Sequence, residues 1–249
     1  MINYIVYSLA GISTCYYIYG KFTSKKPVNT VNDPKRGIIY MVDGDIDSKF
    51  TVKDLFSPKY SAFEKPFKTC SDIKKVPHDI PIKLILATNG GAAHSCEKII
   101  KVLKKHPAGY IAYICGESYS AGAILSLGAN DIVMNNSSYL GKMDMQVQTG
   151  SVGYSVIDYH DLDEKYIDTR NIIKVKQCKQ LMNYSNELFE LILKDHPSYN
   201  LIDTIKKHFV FSEYPHCKLF DYNQCKEFGL HVRNPNDDEK EYFTLFDNL

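Results

Sequence analysis

Tryptophan is missing from this sequence, as are any Cys-x-x-Cys pair and any G-x-G-x-x-G run. The missing tryptophan, set against 19 tyrosines, points to no particular function. The other two absences exclude more. Seven cysteines, an odd number without paired spacing, argue against a disulfide framework or a zinc ribbon and for a reducing compartment. Without a glycine fingerprint after a strand, a dinucleotide site has no support, and no metal or organic cofactor is implied. A net charge of only +1 gives no electrostatic reason to bind nucleic acid. Internal repeats and low-complexity tracts are also lacking. What remains is 249 residues of ordinary globular composition, enough for one sizeable domain.

One further absence is local. Residues 2–19 carry no charge, and Lys21, Lys25 and Lys26 follow. Eighteen residues in a helix reach nearly across a bilayer core, and the tyrosines cluster at one end as interfacial aromatics do. A cleaved signal peptide fits less well, because no basic residue precedes the apolar stretch. The expectation is a single-pass anchor within residues 1–20 and a polar linker over 21–35. A domain over 36–249 would follow, on the cytoplasmic side by the positive-inside rule. A buried N-terminal helix is the alternative, since Asn3, Ser8, Ser13 and Thr14 dilute the hydrophobicity.

The most informative block is 84–134. An apolar strand from Leu84 to Ala87 runs into Asn89-Gly90-Gly91, and a helix bearing Ile99, Ile100 and Leu103 follows. A second apolar strand, Tyr110 to Cys115, ends at Ser118-Tyr119-Ser120-Ala121-Gly122, which opens another helix. Repeated strand–turn–helix units put both turns at one edge of a parallel sheet. Two glycines let backbone N–H groups approach a ligand closely. A serine at a helix N-terminus lies where unpaired N–H groups favour negative charge. A nucleophile beside a pair of N–H donors is what acyl transfer requires.

Around that block, Gly37 to Val42 is a buried-strand candidate, and Asp131 to Met134 starts a short strand. Residues 43–63 show no clear period, and 147–170 are polar and irregular, fit for a lid or an assembly contact. Apolar residues at Val175, Cys178, Met182, Leu188 and Ile192 predict a long amphipathic helix over about 171–193. Further helices are expected over 201–209 and 223–228, the last closed by Gly229.

The sequence resembles the Clp protease/crotonase superfold, and more closely the serine dehydrogenase proteinase family, related to signal peptide peptidases. The likeness rests on TNGG (88–91), SAG (120–122), GANDIVM (128–134) and LGKMDMQ (140–146), in the family's order and spacing. It runs with gaps from about Pro34 to Leu230. The implied fold is α/β and layered, with a parallel sheet, extra C-terminal helices and an N-terminal hydrophobic helix. The implied activity is serine endopeptidase chemistry on a peptide or protein substrate, and relatives of the superfold form homo-oligomers.

Carried over residue by residue, Ser120 occupies the nucleophile position. Gly90, Gly91 and Ala121 would form the oxyanion hole, with Gly91 and Ala121 as donors. Ser118 competes with Ser120 and is expected to cap the helix. No histidine lies within a couple of dozen residues after Ser120, and His160 is the next downstream. A Ser–Lys dyad is therefore expected. Lys179 matches a family lysine, while Lys174, Lys176 and Lys142 stand as rivals. The family's prolines are missing from LGKMDMQ, where Asp144 is expected to fix the loop. At 211–215 the family's T-H-D-Y-P reads Phe-Ser-Glu-Tyr-Pro. Its histidine is thus Ser212, and His216 could replace it only by a local rearrangement. Those losses leave room for a catalytically inactive, membrane-associated scaffold or binding protein. A crotonase-like acyl-CoA enzyme is a third reading.

Overall fold

A computed structural model describes residues 31–43, 63, 66–149, 152–160, 162, 165, 167–168, 171–194, 196–212, 214–244 and 246. The expected anchor at 2–19 and residues 21–30 of the linker expected over 21–35 lie outside these, as does most of 43–63. Among the described residues no helix is long and apolar enough to cross a membrane.

Four strands run parallel in sequence order: β1 (Ile38–Val42), β2 (Ile82–Thr88), β3 (Tyr110–Ser118) and β4 (Asp131–Met134). Between them lie α1 (Pro66–Ile73), α2 (Ala93–Leu103) and α3 (Ala121–Leu127). The expected α/β architecture with a parallel sheet is therefore observed. Both faces of the sheet are covered, so the central strands are apolar on both sides rather than alternating with polar residues. On one face Ile39, Met41, Leu84, Leu86, Ala112, Ile114 and Ile132 join the main core beneath the helices. On the other, Ile38, Ile85, Tyr113, Cys115 and Val133 pack under Tyr242, Phe243 and Phe246. The period of two splits the tyrosines of β3: Tyr110 faces the first core and Tyr113 the second.

β3 is longer than expected from sequence because it changes partners. Ile111 to Ile114 pair with β4, whereas Glu117 and Ser118 pair with β5 (Tyr139–Gly141). Against β2 the register slips between Leu86↔Ile114 and Thr88↔Ser118, placing extra residues of β3 in a bulge. Gly116 lies there at φ +138, a conformation an L side chain rarely adopts. The bulge carries the end of β3 away from β4 and toward the 140–146 loop.

The stretch 147–170, expected to be irregular, begins as an antiparallel hairpin of β6 (Gln146–Thr149) and β7 (Val152–Ser155), followed by α4 (Ile157–His160). α5 (Ile172–Leu193) fulfils the long-helix expectation at about 33 Å. Its first half packs Cys178 and Met182 beside Val147 and Tyr159, and its second half packs Leu188, Phe189 and Ile192 into the main core. The helix expected over 201–209 is shorter: α6 (Ile202–Ile205) runs into a π-turn over Lys206–Val210. β8 (Leu219–Phe220) pairs antiparallel with β5. α7 (Tyr222–Glu227) starts with a capping box of Asp221 and Gln224 and ends near Gly229 at φ +83. β9 (Val232–Arg233) extends the sheet beside β4, and α8 (Lys240–Thr244) covers the second face.

Candidate active site

β2 ends in the glycine turn because Asp43, just past β1, accepts from the Asn89 N–H at 2.5 Å. Gly90 then takes φ +91 and donates its N–H to Thr88 Oγ1 at 3.0 Å. A Cβ on Gly90 would lie 2.7 Å from the Tyr119 carbonyl oxygen, 2.9 Å from Ser120 Cβ and 3.0 Å from Ala121 N. The two turns predicted at one sheet edge thus touch each other. Gly90 contributes close approach rather than a donor, since its N–H is engaged. Gly91 and Ala121 keep N–H groups with no hydrogen-bond partner among the described residues.

Ser120 is the one described non-glycine residue with positive φ, at φ 47 and ψ −115. Its strained backbone turns the chain sharply from β3 into α3, as nucleophile-bearing strand-to-helix turns do. Its hydroxyl does not cap the helix and has no partner among the described residues. Ser118 does not cap it either, contrary to expectation. It is fully buried in β3, with its Oγ 3.5 Å from Ser126 Oγ. A Cβ on Gly122 would fall 2.6 Å from both Ser118 Oγ and Thr88 Cγ2, so the small residue after Ala121 lets α3 seat on the strand ends.

Beside this turn runs the 140–146 loop. The Ser120 N–H donates to the Lys142 carbonyl at 3.1 Å. Two residues on, Asp144 is 1% exposed. Its Oδ1 lies 2.8 Å from His216 Nδ1. Its Oδ2 accepts from Ser155 Oγ at 2.7 Å and from Gln146 Nε2 at 2.5 Å. Burial pushes this carboxyl up, but His216, Ser155 and Lys142 outweigh it and hold it below its ordinary value. With Asp144 on Nδ1, Nε2 becomes the His216 nitrogen that can take a proton. The rearrangement that His216 needed is a turn in which Lys218 N–H donates to the Pro215 carbonyl at 2.9 Å.

The lysine candidates fall in different places. Lys179 is half-buried on α5, next to Cys178, which packs on the β6–β7 hairpin. Lys174 lies 5.3 Å from the centre of the Tyr154 ring, and Lys176 is exposed. Lys142 is buried, its Nζ donating to the carbonyls of Ser212 at 2.9 Å and Tyr214 at 2.8 Å. His94 is exposed in the first turn of α2. Sequence reasoning passed over the Asp144–His216 pair because 72 residues separate its members. The nearest signals were the retained Asp144 and Gln146 in a loop that had lost its prolines.

A family profile described as ClpP-like SDH-type serine proteinase matches residues 50–248. The chain belongs to that family. Among curated proteins it is similar to the uncharacterized protein MJ1495 of Methanocaldococcus jannaschii, at 28% identity over 75% of this chain and 63% of the relative. It is also similar to the uncharacterized protein MJ0137 of the same organism, at 25% identity over 70% of this chain and 61% of the relative. The chain thus spans about six-tenths of the length of these relatives. A solved structure described as the crystal structure of an enzyme aligns over 82% of this chain and 98% of its own. Its TM-score of 0.46 at 15% identity is too low for that likeness to carry an argument.

Proposed function

We propose that this chain hydrolyses peptide bonds, with Ser120 as nucleophile, His216 as general base, Asp144 as its orienting carboxylate, and Gly91 and Ala121 as oxyanion donors. The observation that carries the reading is the bond between His216 and the buried Asp144, which lies on the loop whose Lys142 carbonyl holds the strained Ser120 backbone. Ser120 Oγ would attack the substrate carbonyl carbon while its proton passes to His216 Nε2. The carbonyl oxygen, now negative, would face the two N–H groups. Collapse of this intermediate breaks the C–N bond, and the leaving amine takes the proton from His216. Water then adds to the acyl-enzyme with His216 again as base, freeing the acid and restoring Ser120.

This replaces the expected Ser–Lys dyad with a histidine base, and Lys179 becomes the rival to be tested. Fluorophosphonate labelling with mass-spectrometric location of the adduct separates the two. Ser120→Ala should abolish labelling, His216→Ala should slow it by about 100-fold or more, and Lys179→Ala should leave it near wild type. Slowing by Lys179→Ala alone would restore the Ser–Lys reading. A folded wild type that resists the probe would favour the inactive scaffold.

The same proposal assigns residues 2–19 to a single-pass membrane anchor, with the domain from 36 onward on the cytoplasmic side. The apolar, charge-free run supports it. Alkaline carbonate extraction should leave the full chain with the membrane and release a version lacking residues 1–30. Release of both would remove the anchor from the proposal. Self-association, expected from the family, would be read by light scattering of the purified chain.

A further inference from the structure

We infer that Lys142 is the positioning residue that carries His216 to Asp144 and to the Ser120 turn, an inference that rests on the roles proposed above for those residues. Every polar group of Lys142 is used to join two pieces of chain. Its carbonyl accepts from the Ser120 N–H, and its own N–H donates to the Lys218 carbonyl, each at 3.1 Å. Its ammonium donates to the carbonyls of Ser212 and Tyr214 at 2.9 and 2.8 Å. Nζ also lies 3.7 Å from Asp144 Oδ1. His216 therefore sits between the side-chain attachments at 212 and 214 and the backbone attachment at 218. Beyond it, Gly141↔Leu219 and Leu140↔Phe220 continue the same join as strand pairing.

The chemistry explains why a cation belongs there. An ammonium whose side chain is 5% exposed is costly unless paired and hydrogen-bonded. Two backbone carbonyls and the Asp144 carboxylate provide that pairing. In return the positive charge helps keep Asp144 ionised, as the acceptor for His216 Nδ1–H. The Ser212 side chain adds no tether, because its buried Oγ has no hydrogen-bond partner among the described residues. A proline at position 142, as in the resembled family, could make none of these side-chain bonds and would also lose the N–H that Lys218 accepts. The hydrogens of Nζ point at the 212 and 214 carbonyls, so Lys142 acts through His216 and not as the base itself.

The test uses the full 249-residue chain with isotope-labelled histidine and two readouts: labelling of Ser120 by fluorophosphonate, and the NMR signal of the His216 Nδ1 proton. Lys142→Met keeps the stem and removes the donors. It should slow labelling by about 10- to 100-fold, since misplacement by an ångström can cost that much. It should also expose the Nδ1 proton to rapid exchange with water. In Lys142→Ala, added methylammonium should restore both signals together. If Lys142→Met does not fold, Lys142→Gln, too short to reach both carbonyls, is read the same way. An unchanged His216 signal in a folded variant overturns the inference, even where labelling slows. Should wild type itself resist the probe, the peptidase reading falls, while the His216 signal still decides whether Lys142 positions that ring.

Discussion

Gly90 and Ser120 come from different turns, yet each explains the backbone of the other. Gly90 is pressed so closely on Ser120 Cβ and Ala121 N that a side chain there would collide with backbone atoms, and its φ of +91 disfavours one independently. Gly90→Ala should therefore destabilise the protein by about 1–3 kcal/mol and suppress labelling of Ser120. A thermal melt beside labelling kinetics checks both, and a fully active, equally stable variant would contradict the close packing. At Asp144 the expected substitution effect is electrostatic. Asp144→Asn keeps the shape and removes the charge that His216 faces, so labelling should fall by about 100-fold or more, and the melting temperature should fall too, because the buried Lys142 ammonium loses its carboxylate. The sequence singled out Ser120, Gly91 and Ala121 because they lie within short motifs. It could not pair Asp144 with His216, since nothing local records which distant ring meets a buried carboxylate.

Among the elements, the β3 bulge and the β6–β7 hairpin do what no motif announces. The bulge at Gly116 lets β3 leave β4 for β5, which brings the 140–146 loop beside the serine turn. The hairpin delivers Ser155 to Asp144 Oδ2. Ser155→Ala should cost about 1 kcal/mol and let the Asp144 carboxyl rise toward its ordinary value. An NMR titration of the Asp144 carboxyl measures that rise. The polar composition of 147–170 read as irregular because a two-stranded ribbon with mixed faces has no clear period. α5 was legible for the opposite reason: one apolar stripe runs its whole length and ends in the core.

At the scale of the molecule, acidic groups tie the segment from β9 to α8 onto the sheet. Arg233 on β9 bonds Glu239 through two nitrogens, at 2.6 and 2.7 Å, and also pairs with Asp131. Glu239 Oε1 further accepts from Tyr113 Oη at 2.9 Å, joining the segment before α8 to the middle of the sheet. The Arg233 contacts, ahead of opposing burial, lower the Glu239 carboxyl to about 2, and Lys75 foremost does the same for Asp72, also to about 2. Carboxyls held below their unfolded values stabilise the fold above the ordinary carboxylate range of about 4, and that stability is lost as pH falls toward 2. Melting temperature should therefore hold from pH 7 to 5 and decline below 4. Glu239→Gln should lower stability at pH 7 by about 1–3 kcal/mol and flatten the acid decline, as melts at pH 7 and 3 would reveal.

The sequence by itself determined the parallel α/β core and both turns, because apolar runs, glycines and a helix-opening serine act over a few residues. Membership of the ClpP-like family followed from motifs of the same short reach. Only the tertiary structure decided which side chains gather at the loop whose Lys142 carbonyl receives the Ser120 N–H. Lys142, Asp144, Ser155 and His216 meet through a bulge, a hairpin and a turn whose geometry depends on long-range packing. Burial then made a loop aspartate and a buried lysine interdependent, because neither charge could leave water without the other groups around it.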